Sequence, residues 1–413
     1  MTDPHIYRLS RQATAFASAA DRSLETTTLA LAVQYGSRND PQGQGGIAHL
    51  LEHLLMTGPV AGGYSLTESI ERLGGQSNAL TAVDGMVFHA RVLNADAPAV
   101  ARLLCTALLD PQMDHALLES ERRVVRQELT AAQDDPADLV QDAFLAQLYP
   151  GHPLGRPVGG VPAELDRLTI DDVREAHAQS FVRRRLALIS VGGLAPEALL
   201  EVASDVLVTP HAAQPLTDEP VSPGPLTPGS DEDLDWSGDG FSWLCAGGRA
   251  PALDSPDRYA YQVLSCLMGS SPSSLLFRRL RNDAGLAYAF QSWSRSYLEG
   301  GAWRVLVGGE SRNGPALVEI IRELLRQLST DGPGEQDLEV ARRQAVMDGL
   351  IDRESPADHA IQLASRTRAG SLDWSMDQEQ RALRAVDAQD VAKAAARMLE
   401  QFTVVVRSRG GAA

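Results

Sequence analysis

Two histidines and a glutamate lie within five residues of one another, at a spacing that can hold and use a metal ion. His49, Glu52 and His53 fall in an apolar stretch without proline, directly after two glycines. That pattern predicts a helix, on which His49 and His53 lie one turn apart on the same face. Two imidazoles in that position can bind one Zn²⁺ at about 2.0–2.1 Å each.

Glu52 lies beside this predicted metal without having to bind it. A carboxylate there can take a proton from a zinc-bound water and pass it to a leaving amine. The order His-x-x-Glu-His is the inverted form of HExxH and indicates metal-assisted hydrolysis. The alternative is an ordinary amphipathic helix, which is disfavoured because imidazoles and a carboxylate among leucines would need partners.

A catalytic zinc needs a third protein ligand, and the stretch from His115 to Pro136 offers two candidates. Glu121 and Glu128 are seven residues apart, two helical turns, and therefore lie on one face of a helix. One can bind the metal while the other hydrogen-bonds a histidine ligand and holds its ring. The alternative, favoured when this stretch is taken alone, is that both are surface carboxylates paired with the arginines between them.

The composition sets the broad class of protein. The chain has 413 residues and a net charge of −17, with 44 % apolar and 22 % charged residues, which are ordinary globular values. The acidic balance and the lack of Lys/Arg clusters argue against nucleic acid as the main partner. Three scattered cysteines fit a reducing compartment. Without a long apolar run or an N-terminal signal pattern, we expect a cytoplasmic protein and no membrane partner.

The two halves of the chain repeat the same order of elements. A Pro-rich, acidic stretch at residues 211–235 is typical of a linker between domains at 1–210 and 236–413. Each half begins with an apolar strand and a helical segment, continues with strands and long helices, and ends with a helix and a strand. A Pro-Ala-Asp segment follows an Arg-containing helical segment in both halves. We therefore predict an α+β fold of two tandem duplicated domains, each a mixed or antiparallel sheet packed with helices.

The sequence resembles the pitrilysin-type (M16) metallopeptidases, in the short two-domain subfamily that includes mitochondrial processing peptidase subunits and bacterial relatives. The resemblance rests on GSRNDPQGQGGIAHLLEHLLMTG, on the strand that ends in Asn-Ala-Leu-Thr81, and on GHPLGRPVGG from Gly151. An Arg and a Tyr seven residues apart in the second half extend it. The resemblance implies a clam-like chamber of which one chain forms half.

The resemblance also assigns roles to individual residues. The zinc ligands that it implies are His49, His53 and Glu128. The catalytic residues that it implies are Glu52 as general base, Glu121 as an acid that supports a ligand, Arg281 and Tyr288. The substrate-binding residues that it implies are Asn78, Ala79 and Thr81 on an edge strand that pairs with an extended peptide, and Arg281 and Tyr288 near the scissile bond.

These observations predict a zinc-dependent endopeptidase that acts on short or unfolded peptides. The second half contains no HxxEH and is expected to be catalytically silent. By the resemblance, the chain pairs with a second copy or with a related subunit, and Arg281 and Tyr288 complete the zinc site of that partner. Two alternatives stay open: a peptide-binding scaffold subunit without activity, and a metal-dependent hydrolase of another substrate.

Overall fold

The computed structural model describes residues 5–9, 15–60, 63–184, 186–207, 221–226, 234, 236, 240–368 and 375–408. The strands are β1 His5–Arg8, β2 Ala15–Ala20, β3 Thr26–Val33, β4 Gln76–Thr81, β5 Met86–Leu93, β6 Leu186–Gly192, β7 Phe241–Ala250, β8 Ala287–Ser296, β9 Gly301–Glu310 and β10 Thr403–Ser408. The first eight α-helices are α1 Ile47–Thr57, α2 Leu66–Glu71, α3 Ala97–Leu109, α4 His115–Gln133, α5 Pro136–Leu148, α6 Pro162–Leu165, α7 Ile170–His177 and α8 Glu197–Leu207. The others are α9 Arg258–Met268, α10 Gly314–Asp331, α11 Glu335–Glu354, α12 Pro356–Arg368, α13 Met376–Ala385 and α14 Ala388–Glu400.

The chain forms two compact units, each assembled from separate parts of the sequence. Unit 1 comprises Met1–Leu129, Pro157–Glu219 and Leu350–Met376. Unit 2 comprises Thr130–Arg156, Pro220–Gly349 and Asp377–Ala413. None of the helices in the described ranges has the length and apolar character that a membrane-spanning helix needs.

Unit 1 is built on a six-stranded mixed sheet in the order β1-β2-β6-β3-β5-β4. β2 and β6 run parallel, and all other neighbours are antiparallel. Successive side chains of a strand point to opposite faces, so Leu29 and Leu31 of β3 enter one apolar cluster while Ala30 and Ala32 enter another. Among the strands that the structure describes, β4 lies at the edge of this sheet and pairs with β5 alone.

The two faces of the unit 1 sheet are covered differently. The larger cluster contains buried side chains of α1, α2, α3, α7 and α8, together with Leu118 and Val125 of α4. The alanine-rich face is covered by α12, whose Ala360, Leu363 and Ala364 are fully buried against it. Small side chains on this face let the helix approach the strands closely.

Unit 2 is built on a four-stranded antiparallel sheet in the order β10-β7-β9-β8. Helices α9, α10 and α14 pack together and against this sheet, and α5 packs against β7, β9 and β10. Four strands of unit 1, in the order β6-β3-β5-β4, have the same sequence order and the same antiparallel pairing. The predicted α+β fold of two related, sheet-and-helix bodies is confirmed.

The two units do not coincide with the two halves of the sequence, because each half contributes one helix to the other unit. Helix α5, from the first half, packs in unit 2, and α12, from the second half, packs in unit 1. These are the two Pro-Ala-Asp helices, and an amphipathic pattern indicates that a helix buries one face without indicating which sheet it covers. The domain limits 1–210 and 236–413 stay a prediction that differs from the units in these segments. Most of the predicted linker, residues 211–235, lies outside the described residues.

Candidate metal centre and catalytic site

The start of helix α1 is defined by Gly46, whose backbone is in the left-handed region, and by the carboxylate of Asp40. Gly46 has a φ of +93°, and a Cβ at this position would come within 2.7 Å of the Gly159 carbonyl oxygen. The Asp40 carboxylate accepts hydrogen bonds from the backbone amides of Gly46 at 2.7 Å and Ala48 at 3.2 Å. Because the first amides of a helix have no partner within it, Asp40 fixes where α1 starts.

The two sides of α1 have different chemistry. Its fully buried apolar side chains are Ile47, Ala48, Leu50, Leu51, Leu54 and Leu55. These side chains belong to the large apolar cluster of unit 1 and hold the helix against the sheet. His49, Glu52 and His53 are half-buried and lie on the remaining side. The packing of the apolar side therefore sets the direction of the three polar side chains.

The rings of His49 and His53 converge with one carboxylate from α4. The ring centroids are 4.9 Å apart, with the ring planes at 84°. The Nε2 atoms of His49 and His53 lie 3.7 Å and 3.4 Å from the Glu128 Oε2 atom. In a tetrahedral zinc site with ligands at about 2.0–2.1 Å, neighbouring ligand atoms are about 3.3–3.4 Å apart. The two distances to Glu128 are close to that spacing, and the ligand atoms of all three side chains lie within 4.8 Å of one another.

Glu121, two turns before Glu128 on α4, is buried and contacts the ring nitrogen of His53 that faces away from Glu128. Its side chain is 10 % exposed, and its Oε2 atom lies 3.4 Å from the Nδ1 atom of His53. If Nδ1 carries the proton toward Glu121, the Nε2 lone pair of His53 faces the Glu128 carboxylate. Two acceptors facing each other are stabilised by a cation between them. This pairing supports a metal ion at the position that the three ligand atoms surround.

The protonation of His49 also suits a metal ligand. Burial, with a smaller contribution from the neighbouring His53, lowers the pKa of its imidazole to about 4. The ring is therefore neutral at pH 7, as a histidine ligand must be. Within the described residues, His49, His53 and Glu128 are the one group of three or more His, Cys, Asp or Glu side chains close enough together to hold a metal.

Glu52 lies beside this group and is held by a threonine. Its Oε2 atom accepts a short hydrogen bond from the hydroxyl of Thr81, the last residue of β4. Burial raises the pKa of the Glu52 carboxyl above its ordinary value, while the Thr81 hydrogen bond acts in the opposite direction. A raised pKa brings a carboxylate closer to the operating pH and makes it a better general base.

The three residues of β4 that are predicted to bind substrate differ in their exposure and in their contacts. Asn78 is exposed on this edge strand, and its Oδ1 atom accepts a hydrogen bond from the Ala79 amide at 2.9 Å. Ala79 is half-buried and packs against the large apolar cluster. The Thr81 side chain is only 9 % exposed and is directed to Glu52 rather than to solvent. No sequence signal indicated this contact, because Thr81 and Glu52 are distant along the chain.

The second predicted pair, Arg281 and Tyr288, lies in unit 2. Arg281 belongs to the π-helical segment Phe277–Asp283, and its guanidinium lies 4.8 Å from the centroid of the Phe277 ring. Tyr288 stands at an irregularity in β8, where Ala287 pairs with Gly309 and Ala289 with Gly308. The extra residue of such a bulge is free to point outward, and the Tyr288 side chain is 86 % exposed.

Two family profiles together match most of this chain. The profile described as insulinase (peptidase family M16) matches residues 15–161, and that of the peptidase M16 inactive domain matches residues 167–345. The chain belongs to peptidase family M16. The first profile spans both candidate histidines and both carboxylates of α4, and the second covers most of the half that lacks them.

Relatives and solved structures agree with that assignment. An uncharacterized zinc protease of Mycobacterium tuberculosis is 28 % identical over 343 residues, covering 81 % of this chain and 77 % of the relative. The uncharacterized zinc protease YmxG of Bacillus subtilis is 28 % identical over 324 residues, covering 78 % and 77 %. Two crystal structures have the same fold: a peptidase M16 inactive domain from Pseudomonas fluorescens (TM-score 0.86, 17 % identity, 99 % of both chains covered) and a protease from Helicobacter pylori (TM-score 0.84, 20 % identity, 98 % and 99 % covered).

Proposed function

We propose that this chain is a zinc-dependent endopeptidase that hydrolyses short or unfolded peptides. The observation that carries the proposal is the convergence of two histidine Nε2 atoms on one Glu128 oxygen, at 3.7 Å and 3.4 Å, with the half-buried Glu52 between the two histidines on α1. The names of the relatives, which call them zinc proteases, support the choice of metal. The mixed imidazole and carboxylate set, with three protein ligands, is typical of catalytic zinc.

His49, His53 and Glu128 would hold the Zn²⁺, which when bound would lower the pKa of a water molecule and polarise a carbonyl oxygen. Glu52 takes a proton from the attacking water through the carboxylate oxygen that Thr81 leaves open, and then delivers it to the nitrogen of the departing amine. Glu121 holds the His53 ring through Nδ1, so that Nε2 keeps a fixed direction.

The edge of the unit 1 sheet offers a way to recognise a peptide without reading its sequence. Strand β4 has one paired side, toward β5, and one side on which no strand of the described ranges lies. Backbone amides and carbonyls on that side can pair with an extended peptide. Because β4 ends at Thr81, beside Glu52, a peptide lying along it would pass close to the base. This arrangement favours unfolded peptides, since folded chains do not present an extended strand.

The proposal is tested with a library of quenched fluorescent peptides, incubated with the protein before and after removal of metal by a chelator. We expect cleavage that is lost with the chelator and restored by Zn²⁺. Cleavage that survives complete removal of metal would refute the zinc mechanism. Tight binding of peptides without any cleavage by the zinc-loaded protein would favour the non-catalytic scaffold subunit, and cleavage of a non-peptide ester alone would favour another hydrolase.

Glu121→Gln should weaken zinc binding while leaving the protein folded. The amide keeps the shape of the side chain but no longer offers the negative charge that stabilises the His53 ring in its ligand orientation. Loss of such an outer partner lowers metal affinity by roughly 10–100-fold. Competition with a fluorescent zinc chelator measures the change. Glu119→Gln, an exposed glutamate on the same helix, is the control and should retain the affinity of the parent; equal affinities for all three proteins would contradict a supporting role for Glu121.

We further propose that the working enzyme is a dimer, formed with a second copy or with a related subunit, in the cytoplasm. The free state of all three cysteines is compatible with a reducing compartment. The exposure of Tyr288, together with the location of Arg281 and Tyr288 in unit 2, supports a role in which these side chains act on the zinc site of a partner. Tyr288 would donate a hydrogen bond from its phenol to the oxyanion that develops at the scissile carbonyl, and the fixed positive charge of Arg281 would stabilise the same oxyanion.

Action on a partner site can be tested by mixing two inactive variants. In a homodimer, Glu52→Gln removes the base of one chain, and Tyr288→Phe removes the phenol that serves the other. Each heterodimer formed after mixing then contains one complete site, so we expect recovery of about a quarter of the parent activity at equal mixing. Light scattering verifies the dimer. Full activity of a strict monomer, or no recovery on verified exchange of subunits, would contradict action between chains.

A further inference from the structure

We propose that Thr81 is a positioning residue that couples the peptide-pairing strand β4 to the catalytic base Glu52. This inference rests on the proposed function and adds a role for a side chain that the sequence placed only among substrate contacts. The coupling centres on the hydrogen bond from the Thr81 hydroxyl to the Glu52 Oε2 atom, and the Thr81 backbone also interacts with the Glu52 carboxylate. Pairing of a peptide along β4 and the orientation of the base are thereby linked through a single residue.

The hydrogen bond fixes which oxygen of the base is free. Thr81 provides the one side-chain hydrogen bond to the Glu52 carboxylate among the described residues. A hydroxyl has one proton to donate, so the Thr81 hydroxyl engages one carboxylate oxygen and leaves the other for a water molecule. A carboxylate on a flexible side chain loses rotational freedom when one oxygen is held, and that lowers the entropy cost of reaching the reactive geometry.

Thr81 itself is held by a well-anchored turn. The residues after it, Ala82 and Val83, accept backbone hydrogen bonds through their carbonyl oxygens from the amides of Ser37 and Arg38, both at 3.1 Å. The Arg38 guanidinium also pairs with Asp84 at 3.0 Å, and Arg38 is buried. Since the turn is tied to a separate loop, the end of β4 has a defined position, whereas the earlier part of the strand has an open side.

A peptide that pairs with β4 would therefore restrict the motion of Glu52 as well as fix its own position on the strand. Cross-strand hydrogen bonds to the open side of β4 reduce the motion of the strand. The Thr81 hydroxyl transmits that restriction to Glu52, because strand and base are joined at this position. Such a link makes the turnover rate, rather than the binding of substrate, depend on the hydroxyl.

The test compares Thr81→Val with Thr81→Ser on the zinc-loaded full-length protein. Valine keeps the shape and removes the hydroxyl, so we expect kcat to fall roughly tenfold to hundredfold, the value of one hydrogen bond to a charged group, with KM and zinc content unchanged. Serine restores the hydroxyl and should bring kcat back to within about threefold of the parent. Thr28→Val is the matched control: Thr28 is buried in β3 of the same sheet, and its hydroxyl has no hydrogen-bond partner among the described residues.

Two further outcomes separate this inference from the proposed function. In a Glu52→Gln background, Thr81→Val should lower the residual rate no further, because the hydroxyl acts through the base. An unchanged kcat for Thr81→Val, in a protein that Glu52→Gln inactivates, would overturn the coupling and leave the peptidase proposal intact. A Thr81→Val protein that loses zinc or unfolds would also overturn it, since the hydroxyl would then serve the fold. Undiminished cleavage by Glu52→Gln would instead refute the peptidase mechanism.

Discussion

Glu52→Gln is expected to leave zinc bound and to lower kcat by a factor of roughly 10² to 10⁴, the usual contribution of a general base. The amide has nearly the shape of the carboxylate and can still accept the Thr81 hydrogen bond, so the surroundings of the site should be preserved. It cannot take a proton from water at neutral pH. Steady-state rates with a quenched fluorescent peptide, together with metal analysis of the same sample, measure both quantities.

A control substitution distinguishes loss of the base from general damage. Glu68→Gln changes a glutamate on α2 whose side chain is 47 % exposed and pairs with Arg72 at the surface, and surface pairs of this kind contribute little to stability. The control should match the parent in rate, zinc content and melting temperature. A Glu52→Gln protein with zinc and full activity would show that another group is the base, and one without zinc would show that Glu52 is needed to keep the metal.

His53→Ala is expected to remove the metal itself. The ring faces Glu128 with one nitrogen and Glu121 with the other, so alanine deletes a ligand and leaves two carboxylates close to each other without their shared partner. We expect a loss of zinc affinity larger than the roughly 10–100-fold that follows removal of an outer partner such as Glu121. Titration with a competing chelator measures this, and activity should fall in parallel with zinc content.

The matched variant for this experiment is His115→Ala, which changes an exposed histidine at the start of α4. It should bind zinc as the parent does. The pair of variants separates a specific ligand from the general effect of losing one imidazole. If His53→Ala retained stoichiometric zinc at parental affinity, the proposed ligand set would be wrong, because the remaining side chains would suffice to hold the ion.

Much of the site could be predicted because its spacing is local. Two histidines one helical turn apart share a face of any helix, and the buried apolar residues of α1 fix which face that is. The two glutamates of α4 follow the same logic over two turns. What the spacing could not determine is that α4 brings Glu128 to the histidines, since the packing of one helix against another depends on contacts far apart in the sequence.

The features that sequence reasoning missed depend on long-range packing. The contact of Thr81 with Glu52 joins a strand to a helix and leaves no periodic signal. The cap that Asp40 provides for α1 acts across a glycine-containing loop instead of at the residue next to the helix. The exchange of α5 and α12 between the units was equally hidden, because both helices carry ordinary amphipathic patterns. The roles of Arg281 and Tyr288 stay predictions.

The central claim is that one zinc ion lies between His49, His53 and Glu128. Crystals grown with Zn²⁺ and measured on both sides of the zinc absorption edge test it most directly, since anomalous scattering locates the ion independently of the protein atoms. We expect a single strong peak at about 2.0–2.2 Å from the two Nε2 atoms and a Glu128 oxygen. A peak bound by other residues, or none at full zinc occupancy of the protein in solution, would contradict the claim.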